Sequence, residues 1–164
     1  MSDLPGPPLH PSLEPVAFLL GVWRGAGEGS YPTIESFGYT EEVTFSHVGK
    51  PFLVYGQRTK HAETGLPLHA ETGYWRPVGD GGFEVVLSHP TGVGESLAGN
   101  FEPASGGGTF DLRSDSIMLT ATAVSVTETT RRFVIHGDAL SYDLAMAAVD
   151  QPLTHHLRAE LQRV

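Results

Sequence analysis

From residue 37 to the end of the chain, apolar and polar positions alternate in short runs broken by turn residues, the two-residue period of half-buried β-strands. Phe37–His47 sets Val43, Phe45 and His47 on one face and Glu42, Thr44 and Ser46 on the other. Gly49-Lys50-Pro51 turns the chain into Phe52–Lys60, and Glu63-Thr64-Gly65 leads to Leu68–Arg76. Gly79-Asp80-Gly81-Gly82 is a hairpin signal before Phe83–Ser88. Further strands are predicted over Val93–Glu102, Thr109–Arg113, Ile117–Thr127, Arg131–His136 and Ala139–Val149, where Leu140, Tyr142, Leu144 and Met146 form the apolar face. The last stretch, Leu153–Val164, has apolar residues at 153, 157, 159 and 161 and reads as a closing strand docked into the fold.

Before this series, residues 1–13 are rich in Pro and predict a flexible N-terminus; residues 14–164 form the folded domain. Glu14–Leu20 predicts a short helical turn, with Pro15 at a tolerated early position. Gly21, Gly25, Gly27 and Gly29 surround Trp23, the pattern of a twisted strand with close backbone approach. A phosphate-cradling loop would need a helix to follow, whereas Tyr31-Pro32-Thr33-Ile34 follows. The total is about ten strands at spacings near 8–12 residues, all-β, with a turn after almost every strand. This favours a single up-and-down antiparallel β-barrel over a Greek-key sandwich, and a barrel of about ten strands leaves room for an internal ligand.

Composition narrows the chemistry. The 164 residues suit one domain, and 20 Gly with 12 Pro agree with many turns. A formal charge of -9 argues against a nucleic-acid partner, which needs clustered Lys and Arg. With no cysteine, disulfides and thiolate metal sites are excluded, so a metal must sit on His, Asp, Glu or a cofactor ring. No run approaches the roughly 18 apolar residues of a membrane span, and the N-terminus lacks a signal-peptide pattern; no membrane partner and a cytoplasmic location are expected.

Four motifs now coincide: Gly21-x-Trp23-x-Gly25-x-Gly27 with Tyr31-Pro32-Thr33-Ile34; Ser46-His47-x-Gly49-Lys50-Pro51; Leu68-His69-x-Glu71-x-Gly73-Tyr74; and Gln151-Pro152-Leu153-x-x-His156-Leu157. Over residues 12–164 the chain resembles the nitrobindins, haem-binding β-barrels similar in shape to fatty-acid-binding proteins. The resemblance implies a homodimer with one haem b per chain, held by a histidine of the final strand. It implies binding of nitric oxide and conversion of peroxynitrite to nitrate by a haem-dependent isomerase. The iron ligand falls on His156, a haem-contacting threonine on Thr33 and a pocket histidine on His69. Where many relatives carry a lysine that reaches a haem propionate, this chain has Val124 or Ser125. Arg131 and Arg158 are candidates to replace it.

Alternation disagrees with the motif on the ligand. It puts His155, not His156, on the face of Leu153, Leu157, Ala159 and Leu161. If His156 is the ligand on a regular strand, that apolar face must point away from the haem, and His155 is the runner-up. His69 is readable as a core histidine bonded to Glu71. His47 and His89 read as surface residues beside turns, and a non-haem metal site from His47, His69 and His156 lacks ligand spacing. A different class of function is a non-enzymatic carrier of a fatty acid or other apolar molecule, with Tyr55, Tyr142 and Arg131 receiving the carboxylate.

Overall fold

The computed structural model describes residues 6–164. A 3₁₀ helix, Pro11–Leu19, precedes ten strands: β1 Gly21–Tyr31, β2 Ile34–Ser46, β3 Leu53–His61, β4 Pro67–Val78, β5 Gly82–Ser88, β6 Val93–Ala104, β7 Gly107–Leu119, β8 Val126–His136, β9 Ala139–Ala148 and β10 Thr154–Arg163. Each pairs antiparallel with its sequence neighbour, and β10 pairs with β1, so the sheet closes into an up-and-down barrel without free edges. Closure uses a regular register from Trp23↔Arg163 to Gly29↔Leu157.

The helix plugs one end. Leu13, Val16 and Leu19 are buried, and the Trp23 indole donates to the Leu19 carbonyl at 2.8 Å. Arg163 covers the outer side of the same ring, its guanidinium carbon 4.2 Å from the ring centroid. Above this plug Trp75 contacts Phe45, Tyr55, Phe110 and Phe133 at centroid distances of 5.1–5.8 Å. This aromatic layer fills half the barrel and leaves the other end free.

The glycine run owes its composition to packing. A Cβ on Gly25 would lie 2.0 Å from the Glu160 carbonyl oxygen of β10, and one on Gly27 would strike the Tyr39 ring at 2.4 Å. Gly29 makes the same room for Phe37. The glycines therefore bring β1 and β10 together and let two β2 rings lie across β1.

Three expectations change. The helix begins at Pro11 and buries Leu13 completely, so residues 11–13 belong to the fold and not to a loose leader; residues 1–5 of that predicted leader lie outside the described residues. No strand runs over 117–127: Ile117–Leu119 ends β7, a loop follows, and Val126 opens β8. Apolar Ile117, Met118 and Val124 imitated one continuous strand there. The apolar set of β10 does not point outward, since Ala159 and Leu161 are in the core. The cause is a β-bulge: His155 pairs with Ala145 and Leu157 with Leu144, leaving His156 as an extra residue.

Candidate functional site

The open half of the barrel is a cavity of about 550 Å³, within the ordinary range for a small-molecule or cofactor site. Phe37, Tyr39, Phe133, Leu144 and Met146 contribute its apolar wall. The mouth is formed by the turn between β1 and β2, the loop before β8 and the turn between β9 and β10. Ile34, Leu68 and Val124 at this mouth are 52%, 44% and 58% exposed, an apolar rim suited to a ligand that extends to the surface. Val149, also at the rim, has φ 46°, a strained value for a β-branched residue, and its N–H donates to the Ser125 carbonyl at 3.1 Å.

His156 reaches this cavity because of the bulge. Without the extra residue, alternation would turn it outward, but here both His156 and Leu157 line the space. The His156 Nδ1 lies 3.0 Å from the Ser30 carbonyl oxygen, which only accepts, so the ring proton is on Nδ1 and Nε2 keeps its lone pair. Burial lowers the pKa of His156, against the opposing pull of that carbonyl, and favours the neutral ring. Tyr31 packs edge-on at 5.3 Å and 72°, and its hydroxyl is tied to the backbone of Met146 and Ala148. A neutral imidazole with one nitrogen fixed on a carbonyl and the other free is the form that binds metals. His155 is on the outer face, where its Nε2 is 3.0 Å from Asp143 and shares that carboxylate with Arg158.

The inner floor is polar. Arg131 donates to both oxygens of Glu71, at 2.6 and 3.0 Å, and to Glu95. Tyr55 donates to Glu71 at 2.7 Å, and Thr129 to Glu95 at 2.6 Å. Burial raises both carboxyl pKa values, but the Arg131 charge and the hydrogen bonds outweigh it; Glu71 ends below its usual range and Glu95 at about 2. His89 bridges to this cluster, its Nε2 3.0 Å from Glu95 and its Nδ1 3.0 Å from His69 Nε2. Beside it, Glu41 accepts from Gln57 at 2.9 Å and Tyr142 at 2.8 Å. With no cation in contact, burial pushes Glu41 up to about 7.

The cavity thus gathers Thr33 at the mouth, His69 on the wall and His156 on the last strand. His69 bonds to His89 and not to Glu71, whose oxygens are taken by Arg131 and Tyr55. His89 is not a surface residue: its side chain is 9% exposed and lines the cavity. His47 is absent from the lining, so a cluster with His69 and His156 does not form; among the described residues the metal-competent group is His69, Glu71 and His89. Val124 is at the rim, while Arg158 is outside and Arg131 is held by two carboxylates. That last fact weighs against a fatty-acid carrier. Arg131, Tyr55 and Tyr142 already serve Glu71, Glu95 and Glu41. A readable signal for the floor lay in the strands: Glu41, Glu95 and Arg131 each share a face with the buried Val43, Leu97 and Phe133 two residues on.

This architecture matches known proteins. The chain is 52% identical over 155 residues to "Peroxynitrite isomerase 2" of Mycobacterium marinum, covering 94% of this chain and 96% of that one. It is 50% identical over 159 residues to "Peroxynitrite isomerase" of Nocardia farcinica, covering 97% and 95%. The crystal structure of Rv2717c from M. tuberculosis superposes with a TM-score of 0.93 at 48% identity, covering 96% of this chain and 99% of that one. The family described as "THAP4-like, heme-binding beta-barrel domain" matches residues 12–163, and the chain belongs to that family.

Proposed function

We propose that the protein holds one ferric haem b in its cavity through His156 and isomerises peroxynitrite to nitrate. The observation that carries this reading is the His156 ring, with Nδ1 on the Ser30 carbonyl and Nε2 available at the mouth of an apolar cavity. Haem-family membership and relatives named peroxynitrite isomerase at about half identity support the activity. When bound, ferric haem supplies the Lewis-acidic iron for the rearrangement. The chain supplies position and environment. Ser30 and Tyr31 hold the His156 ring, and Phe37, Phe133, Leu144 and Met146 would exclude water from the ring faces. The exposed Ile34, Leu68 and Val124 would border the bound group at the mouth, with Thr33 lining the same cavity. His69, neutral through burial, faces the cavity without adding a charge that would compete for the substrate.

Nitric oxide binding, homodimer formation and a cytoplasmic location are part of the same proposal. The apolar cavity wall suits an uncharged diatomic ligand. Adding ferric haem to haem-free protein tests the assignment of His156 as the residue that holds it. Wild type and His155→Ala are expected to give the same Soret shift, and His156→Ala to lose it along with nitrate formation from peroxynitrite. Equal spectra for all three would refute His156 as the ligand.

A further inference from the structure

We propose that His69, Glu71 and His89 form a second metal site, for a divalent first-row transition metal, on the cavity wall apart from His156. It does not depend on haem being bound. His69 and Glu71 are two residues apart on β4 and share its inward face. Thr72 pairs with Ser88, so the chain leaving β5 sets His89 beside Glu71. His69 Nε2 is 3.0 Å from His89 Nδ1, and Glu71 Oε2 is 3.5 Å from the same nitrogen. All three ligand atoms lie within 4.8 Å of one another. Ligands bound at about 2.0–2.2 Å around a tetrahedron are about 3.4 Å apart, so small side-chain shifts suffice to enclose an ion.

The protonation pattern favours a cation. Glu95 is an acceptor for His89 Nε2 at 3.0 Å, which places a ring proton there; the His69–His89 bond is then made by the His69 Nε2 proton, and a cation would take that proton's place. Glu95 is itself fixed by Thr129 and Arg131. A carboxylate behind a histidine in this way is the usual outer support of a metal ligand. On Glu71, Oε1 is occupied by Arg131 and Tyr55, while Oε2 has only Arg131 at 3.0 Å and faces His89. Two buried carboxylates share one guanidinium, and His89 lies against both of them. Two imidazoles and a carboxylate suit Fe²⁺, Co²⁺ or Zn²⁺, and three protein ligands leave a position facing the cavity for water or a small anion.

The test is Co²⁺ titration of the full-length, haem-free protein, followed by visible d–d absorption and displaced by Zn²⁺. One Co²⁺ per chain is expected, with the bands lost in His69→Ala and His89→Ala and kept in His156→Ala. Glu95→Gln, which keeps all three ligands and weakens the support behind His89, should weaken binding about 10–100-fold. If a histidine variant does not fold, ring ¹⁵N resonances of wild type decide: Zn²⁺ should move those of His69 and His89 and leave His156 in place. Absence of bands in wild type, bands retained in both folded histidine variants, bands lost in His156→Ala, or a Zn²⁺ response at His156 would each overturn the site.

Discussion

Arg131→Met isolates the electrostatic strain that the cavity floor conceals. The guanidinium is 6% exposed, and its two partners Glu71 and Glu95 are 5% and 1% exposed at the side chain. Met keeps the apolar stem but removes the contacts to both carboxylates. Glu71 would keep Tyr55, while Glu95 would keep His89 and Thr129. Breaking a buried ion cluster by deleting one partner costs about 3–5 kcal/mol, because the remaining charge is stranded. At roughly 2–4 °C per kcal/mol for a chain of this size, the melting temperature should fall by about 6–20 °C at pH 7. In wild type both carboxyls titrate below their ordinary value of 4.5, so their stabilisation is present above that pH and is lost as pH falls through the folded pKa, about 2 for Glu95. In the variant the same groups are buried without their cation and take up protons more readily. The deficit should therefore shrink as pH falls from 7 to 5. Urea unfolding of both proteins at the two pH values measures this. A loss under about 1 kcal/mol at pH 7, or a deficit that does not change with pH, would refute the argument that Arg131 holds the floor together.

Glu41→Gln should act with the opposite sign. Glu41 has a folded pKa of about 7 against an ordinary 4.5, so its stabilisation is complete below 4.5 and is lost as pH rises through 7. Wild type gives up roughly 3 kcal/mol across that window and Gln gives up none, so the variant should gain relative stability from pH 5 to pH 8 in urea unfolding. Gly25→Ala should cost about 1–3 kcal/mol or more in thermal unfolding, because its Cβ would meet the Glu160 carbonyl at 2.0 Å and that obstacle is backbone, not a movable side chain.

The barrel was legible because closure leaves a repeated trace in sequence. Each strand alternates, each is followed by turn residues, and Gly79 and Gly81, both at positive φ, mark the hairpin before β5. The division between β7 and β8 was not legible, because the ends of two strands and the loop between them are apolar enough to imitate one strand. The exposed Met118 and Val124 create that resemblance, and burial does not explain them. The floor was legible only as single residues. Alternation puts Glu71 and Arg131 inward, but their meeting across 60 positions of sequence follows from barrel closure and from no local spacing.

The final strand shows why neither alternation nor motif sufficed alone. Alternation correctly turned Leu157, Ala159 and Leu161 inward, and the motif singled out His156. Together they are incompatible on a regular strand, since residues 156 and 157 have opposite parity. Keeping the motif on a regular strand therefore requires an outward apolar face. A one-residue bulge removes the conflict: β10 spends His156 between the pairs His155↔Ala145 and Leu157↔Leu144. His155 then stays outside on Asp143, and His156 joins Leu157 at the cavity. Two sound readings that contradict each other on one strand are thus evidence for a bulge between them. The adjacent residue whose orientation the bulge changes is the one to examine for function.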